Sequence, residues 1–273
     1  MSFQLLILLF AMFFAASVIF SMLGQGGGAF YVPMLLALSV PFYMAATTSQ
    51  VLIMVVSLSS MLVFAKARLV DWKLVLLIEP PTNLGAFLGG YLSPFIPDYF
   101  SKICFAGVLL IGAYFMYRPV SNYVQPSVSP HWWQWHRTGV AEEYAINVLI
   151  IVPTMLLAGF VAGLLGVGGG LIKVPAVVLL GGVPVKIAVG SSSLMVGITA
   201  LTGFIGQFLR GHFNPHLAVV LAVAVLLGSQ VGPRVAIKIE RGRLQKYFAL
   251  LLVVISFWLI YGVIRELRLL TWY

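Results

Sequence analysis

Gly24-Gln25-Gly26-Gly27-Gly28-Ala29-Phe30-Tyr31-Val32-Pro33 returns 142 positions later as Gly166-Val167-Gly168-Gly169-Gly170-Leu171-Ile172-Lys173-Val174-Pro175. A glycine inside a helix costs about 0.8–1.0 kcal/mol relative to alanine, so each run interrupts the helices beside it. What lies beside them is apolar. Stretches 3–23, 29–40, 44–65, 72–92, 101–118, 146–166, 170–181, 185–209, 215–235 and 244–264 carry few charges. About 20 such residues cross the hydrocarbon core of a bilayer. The chain reads as an all-α polytopic membrane protein, broken at two equivalent points.

Composition points the same way. Of 273 residues, 61% are hydrophobic and 8% charged, and the mean hydropathy is +1.06. A soluble domain carries about 25% charged residues. This chain cannot cover a globular surface with them, which excludes a soluble enzyme, a disordered protein and a nucleic-acid-binding domain. The net charge of +9 then belongs to loops facing the cytoplasm rather than to a polyanionic partner. Cys104 is the single cysteine, which leaves no disulfide framework and no cysteine metal site. Met1–Gln4 holds no Lys or Arg, so the apolar start is expected to stay in the mature chain rather than act as a signal peptide.

The repeat extends beyond the glycines. Val40-Pro41 matches Val183-Pro184, Thr48-Ser49 matches Ser191-Ser192, and Gly85-x3-Gly89 matches Gly228-x3-Gly232, each at a shift of 143. Ordered matches at a constant offset mark an internal duplication. The expected organisation is a first transmembrane repeat over 1–118, an interfacial linker over 119–145 and a second repeat over 146–273. The linker holds Pro119, Pro126, Pro130 and the run His131-Trp132-Trp133-Gln134-Trp135-His136, and tryptophan favours the headgroup level.

The basic residues choose the orientation. If each glycine element is one broken helix, the halves are parallel and Lys and Arg divide almost evenly between the two faces. If each is a hairpin that enters and returns, the halves are inverted. Lys66, Arg68, Lys73, Arg118, Arg137, Lys186, Arg234, Lys238, Arg241, Arg243 and Lys246 then share one face, with only Lys102, Arg210, Arg265 and Arg268 opposite. The positive-inside rule favours the second arrangement, which puts both termini outside. Each repeat is therefore expected to be a Gly-broken hairpin plus three transmembrane helices.

Paired breaks at matching points of two repeats mark the binding site of a secondary transporter. Helices starting near Ala29 and Leu171 would turn free N–H groups and a positive dipole end toward the break, which suits an anion. The bland alternative is that the glycines only allow close packing. Candidate substrate contacts are Gln25, Gly26, Gly27 and Gly28, with Gly168, Gly169 and Gly170. The hydroxyl-rich runs Thr47-Thr48-Ser49-Gln50 and Ser191-Ser192-Ser193 join them, although such residues also serve helix packing.

Lys173 is a cation within the apolar zone, where an ionisable residue signals function, unless it snorkels to an interface. Its loss is expected to weaken anion binding more than folding. Glu79, before Pro80-Pro81 in an apolar stretch, is a candidate for binding a coupling proton, and the prolines are expected to distort its helix. Its equivalent in the second repeat is Ala222. Asn83, Gln207 and Gln230 read as interhelical hydrogen-bond partners. His212 and His216 flank Pro215 without an acidic ligand, so no metal site is expected there. No catalytic motif and no cofactor signature is present in the sequence.

The doubled Gly-x-Gly-Gly-Gly-x3-Val-Pro motif, the hydroxyl runs after it and the Gly-x3-Gly pair of each half resemble the sulfite exporter TauE/SafE family, also grouped with toluene sulfonate uptake permeases. The resemblance spans residues 10 to 264. It implies a multi-pass permease of the inner membrane, a secondary carrier of sulfite or organosulfonates driven by an ion gradient. Gln25 departs from the small or apolar residue usual in that slot. The expected partners are a small anion, a coupling ion (a proton), the lipid bilayer and possible further copies of the chain. A passive anion channel and a non-transporting membrane scaffold remain the alternative readings.

Overall fold

The computed structural model describes residues 3–117, 133–137, 143–209, 215–238 and 242–270. Ten α-helices account for most of them: α1 (Phe3–Met22), α2 (Gly28–Ala37), α3 (Phe42–Lys66), α4 (Trp72–Leu92), α5 (Asp98–Tyr117), α6 (Val148–Leu165), α7 (Gly170–Gly181), α8 (Val185–Phe208), α9 (Pro215–Ala236) and α10 (Gly242–Leu270). Six helices among the described residues are long and apolar enough to cross a membrane: α3, α5, α6, α8 and most of α9 and α10. Large apolar side chains such as Leu58, Leu76, Leu157, Val219, Leu250 and Tyr261 face outward, as a lipid solvent allows. This is an all-α polytopic membrane protein. Among the described residues the one sheet is a small antiparallel hairpin, β1 (Gln134–Arg137) with β2 (Tyr144–Asn147).

Both glycine runs break their helices as the sequence demands. Gly24, Gly26 and Gly27, like Gly166, Gly168 and Gly169, hold φ between +67° and +98°, a region that side chains with a Cβ rarely enter. The chain then folds back. Tyr31 of α2 stacks on Phe13 of α1 with centroids 5.3 Å apart, and Phe30 meets Phe20. On one straight helix, Phe13 and Tyr31 would stand about 27 Å apart. The short α2 and α7, of 10 and 12 residues, are thus the returning arms of hairpins. Pro80 and Pro81 do not break α4, which runs on through them.

The two glycine pairs make similar packing contacts. α4 lies against α6, where a Cβ on Gly85 would come 2.1 Å from the Leu156 carbonyl oxygen and one on Gly89 2.0 Å from that of Phe160. α9 lies against α1 in the same way: Gly228 faces the Phe14 carbonyl and Gly232 that of Val18. Each half therefore lends its third long helix to the first helix of the other. Equivalent helices also pack directly and in opposite directions. Thr47 and Gln207 meet at one end of the α3–α8 contact, Ser57 and Gly197 further along. On α5 and α10, Lys102 pairs with Glu266.

These glycine contacts make a graded prediction. Gly89→Ala and Gly232→Ala force a methyl into a backbone carbonyl and should each lower stability by at least about 1–3 kcal/mol, the range for overpacking. Gly107→Ala, whose Cβ would meet nothing within 4 Å, should leave the melting temperature level or raised. Melting curves of the purified variants in detergent check the order.

Candidate functional site

At the bundle centre the two breaks touch. A Cβ on Gly28 would stand 2.7 Å from Val167 Cα, and one on Gly170 would stand 2.6 Å from Gln25 Cα. Ile53 of α3 and Val196 of α8 close over Gly26 and Gly168 alike. The contacts are reciprocal between halves. In this conformation, backbone fills the space between Gly26–Gly28 and Gly168–Gly170, where the sequence suggested an anion.

The serines explain how this core stays intact. Ser49 donates to the Gly166 carbonyl at 2.9 Å, and Ser192 donates to the Gly24 carbonyl at 3.1 Å. Each half thus satisfies the exposed backbone of the other's break, a condition for irregular chain in an apolar medium. The remaining candidates spread outward. Thr47 sits 2.8 Å from Gln207 Oε1, and both Gln50 and Gln207 donate to the Gly163 carbonyl. Ser193 donates to the Gly190 carbonyl, while Ser191 accepts from the Asp71 N–H. Thr48 is buried. Gln25 reaches Met116 Sδ at 3.9 Å. Among the described residues the Oε1 atoms of Gln25 and Gln50 have no hydrogen-bond partner. Gln230 bonds Ser59 between α9 and α3.

Lys173 and Glu79 come together. Lys173 lies in the first turn of α7, fully buried, and Glu79 on α4 is 5% exposed. Their ion pair is 2.5 Å long. The ammonium also donates to Thr199 Oγ1 and, at 3.2 Å, to the Met195 carbonyl, both on α8. Thr199 faces Glu79 Oε2 at 3.3 Å, and Asn83, one turn along α4, bonds the same carboxylate. Thr202 holds Asn83 in turn. The three donors of Lys173 meet three acceptors. Snorkelling is excluded by this depth. The repeat-equivalent positions are Tyr31 and Val56 in the first half and Ala222 in the second, so the duplicated counterpart of this cluster carries no charges. Thr199 escaped the sequence reading because its partner position, Val56, is apolar and no repeat flags it.

The pair revises the expectation for Lys173. Removing it strands a buried carboxylate, which costs about 3–5 kcal/mol. Lys173→Met should therefore lower the melting temperature sharply, whereas Lys173→Met with Glu79→Gln should recover most of the loss. A double-mutant cycle of melting temperatures reads this non-additivity directly.

A second polar cluster closes the end of the bundle where the linker lies. Asp71 caps α4 by accepting from the Lys73 and Leu74 N–H groups. Its other oxygen takes Arg137 of β1 at 2.7 Å and the Tyr144 hydroxyl of β2 at 2.8 Å. Burial pushes the Asp71 carboxyl upward, but the Arg137, Tyr144 and Leu74 hydrogen bonds and the Arg137 charge outweigh it and hold it below its ordinary 3.8. A depressed carboxyl stabilises above its unfolded value and loses that contribution as pH falls through its folded one. The melting-temperature gap between wild type and Asp71→Asn should therefore stay level from about pH 8 to 5 and shrink below 3.8.

Comparison with known proteins places this geometry. The family model described as sulfite exporter TauE/SafE matches residues 8–259. A probable membrane transporter protein of Bacillus subtilis, YunE, is 28% identical, with 96% of this chain and 98% of that protein aligned. The probable membrane transporter protein MJ0441 of Methanocaldococcus jannaschii is 23% identical over 86% and 88% of the two chains. One from Haemophilus influenzae is 28% identical over 85% of each. No solved structure matches. The chain is a multi-pass membrane transporter, and it belongs to the sulfite exporter TauE/SafE family.

Proposed function

We propose that the protein is a secondary carrier that exports small sulfur-containing oxyanions, such as sulfite or organosulfonates, across the inner membrane, coupled to a proton gradient. The observation that carries this reading is Lys173, a cation held in the first turn of a half-length helix at the centre of the bundle. The positive end of α7 adds to its field. An ionisable residue at that depth is retained at a cost unless something uses it.

Alternating access follows from the same architecture, read as two repeats inverted in the membrane with both termini outside. The antiparallel packing of α3 on α8 and of α5 on α10 supports that reading, as does the clustering of basic residues at the linker end. Rocking one repeat against the other would part the glycine breaks and expose the Lys173 pocket to each side in turn. Ser49 and Ser192, each capping the break of the opposite half, would have to exchange those bonds as the halves part.

Thermal melting of the purified protein with sulfite, sulfate, thiosulfate, sulfoacetate, taurine and chloride tests the substrate class. A bound ligand raises stability by about 2.7 kcal/mol at a hundred times its Kd. The expected outcome is a selective rise with one or more sulfur oxyanions, lost in Lys173→Met with Glu79→Gln. Equal rises in that double variant would remove Lys173 from the site, and no rise with any anion would discard the oxyanion reading.

A further inference from the structure

The Lys173 ammonium has no vacancy for an anion while Glu79 is ionised. Its three N–H groups go to Glu79, Thr199 and the Met195 carbonyl. The carboxylate in turn accepts from Lys173, Thr199 and Asn83. An incoming oxyanion therefore has to displace Glu79, and with both carboxylate and oxyanion present the buried centre would hold a net negative charge. Low local dielectric makes that uncompensated charge expensive.

Among the described residues of the elements packed against α4 and α8, nothing at this depth offers compensation. α6 carries no ionisable residue, and neither does the short 3-10 turn Ser93–Phe95. α7 has only Lys173, and α8 only Lys186, in its first turn. On α4 the other ionisable groups are Lys73, beside the capping Asp71, and Tyr91 in the last turn. The Asp71 charge is already engaged by Arg137 and Tyr144. Among the described residues at the depth of the pair, the group able to absorb the change is Glu79 itself.

We propose that Glu79 accepts a proton as Lys173 accepts a singly charged oxyanion, so that the two cross together in one electroneutral step. This rests on the anion-carrier reading above and assigns its coupling as symport, in which an inward proton gradient opposes export and the anion leaves only when its own outward gradient is the larger. The chemistry is one O–H bond formed on the carboxylate: the proton enters from the aqueous side that delivers the anion and leaves with it on the other. Protonation turns Glu79 from an acceptor into a donor. The acid O–H, the Lys173 ammonium and the Thr199 hydroxyl then supply three donors to one oxyanion. The sum of charges is zero both when the pair is empty and when it is loaded. A dianion would leave one charge over, so the site favours monoanions such as hydrogen sulfite or an alkanesulfonate over sulfate and thiosulfate.

Methanesulfonate and isethionate are suitable probes, because a sulfonate stays a monoanion in water and carries no proton across a bilayer by itself. Proteoliposomes holding a pH-sensitive dye receive an inward gradient of each, with sulfate in parallel, and potassium with valinomycin sets the membrane potential. The expected result is sulfonate uptake with matching acidification of the lumen, unchanged by potential, and little uptake of sulfate. Sulfonate affinity in the wild type should fall about tenfold per pH unit once Glu79 is ionised. Glu79→Gln should bind sulfonate with a flat pH profile and exchange it without moving protons.

Uptake without acidification, or uptake that follows the imposed potential, would overturn the coupling while leaving the carrier intact. An unaltered pH profile in Glu79→Gln would overturn the assignment to Glu79. Absence of uptake for every anion tried, sulfite included, would overturn the carrier reading together with the coupling built on it.

Discussion

Backbone that leaves the helical path inside an apolar medium must find every partner within the protein. That constraint organises this molecule. Two chain reversals lie at the centre of the bundle, each built from glycines at positive φ, and neither can be satisfied by its own half. Ser49 from one half caps the carbonyl of Gly166 in the other, and Ser192 returns the bond to Gly24. With no Cβ in the way, Gly28 and Gly170 bring the two breaks into direct contact. The halves are locked to one another by exchange of the same two interactions, and the long helices take their places around that knot.

The charged pair sits one layer away from the knot and breaks its symmetry. Where the repeat-equivalent positions are Tyr31, Val56 and Ala222, this cluster joins Lys173 and Thr199 of the second half to Glu79 of α4 in the first. A buried ion pair contributes little net stability, because desolvation offsets most of its attraction, whereas losing either partner is costly. The repeat-equivalent trio of Tyr31, Val56 and Ala222 does without charge. On the carrier reading proposed above, the charges are equipment for binding, held in reserve by each other until a ligand or a proton changes the balance.

Much of this was legible in the sequence. The duplication, the hairpins and the cation at Lys173 follow from glycine spacing, hydropathy and the rule that charge inside a membrane has a purpose. What the sequence could not rank was the role of the hydroxyls: Ser49 and Ser192 recur at matching positions for a ligand site and for a reciprocal cap alike. The Lys173–Glu79 contact joins residues 94 positions apart in different halves. No periodicity reveals it, although a fully buried lysine needs a carboxylate and few stand in apolar segments. The β1–β2 hairpin and its clasp on Asp71 were missed for a similar reason. Short strands in a tryptophan-rich linker carry no alternation strong enough to stand out, and one carboxylate at a helix start gives no hint that Arg137 will find it.

The exchange of helices between halves bears on how the molecule is made. α1 leaves the ribosome well before α9, yet the face that receives it belongs to α9: Ser17 donates to the Val225 carbonyl, 208 residues downstream. At about 5–20 residues per second of synthesis, α1 waits on the order of 10–40 s for its permanent neighbour. During that interval its polar face, Ser17 and Ser21 included, needs a temporary host, whether the insertion machinery or the lipid headgroups. The second half has no such delay, since α4 is already in place when α6 is threaded. The later repeat can assemble as it is translated, and the earlier one is completed last.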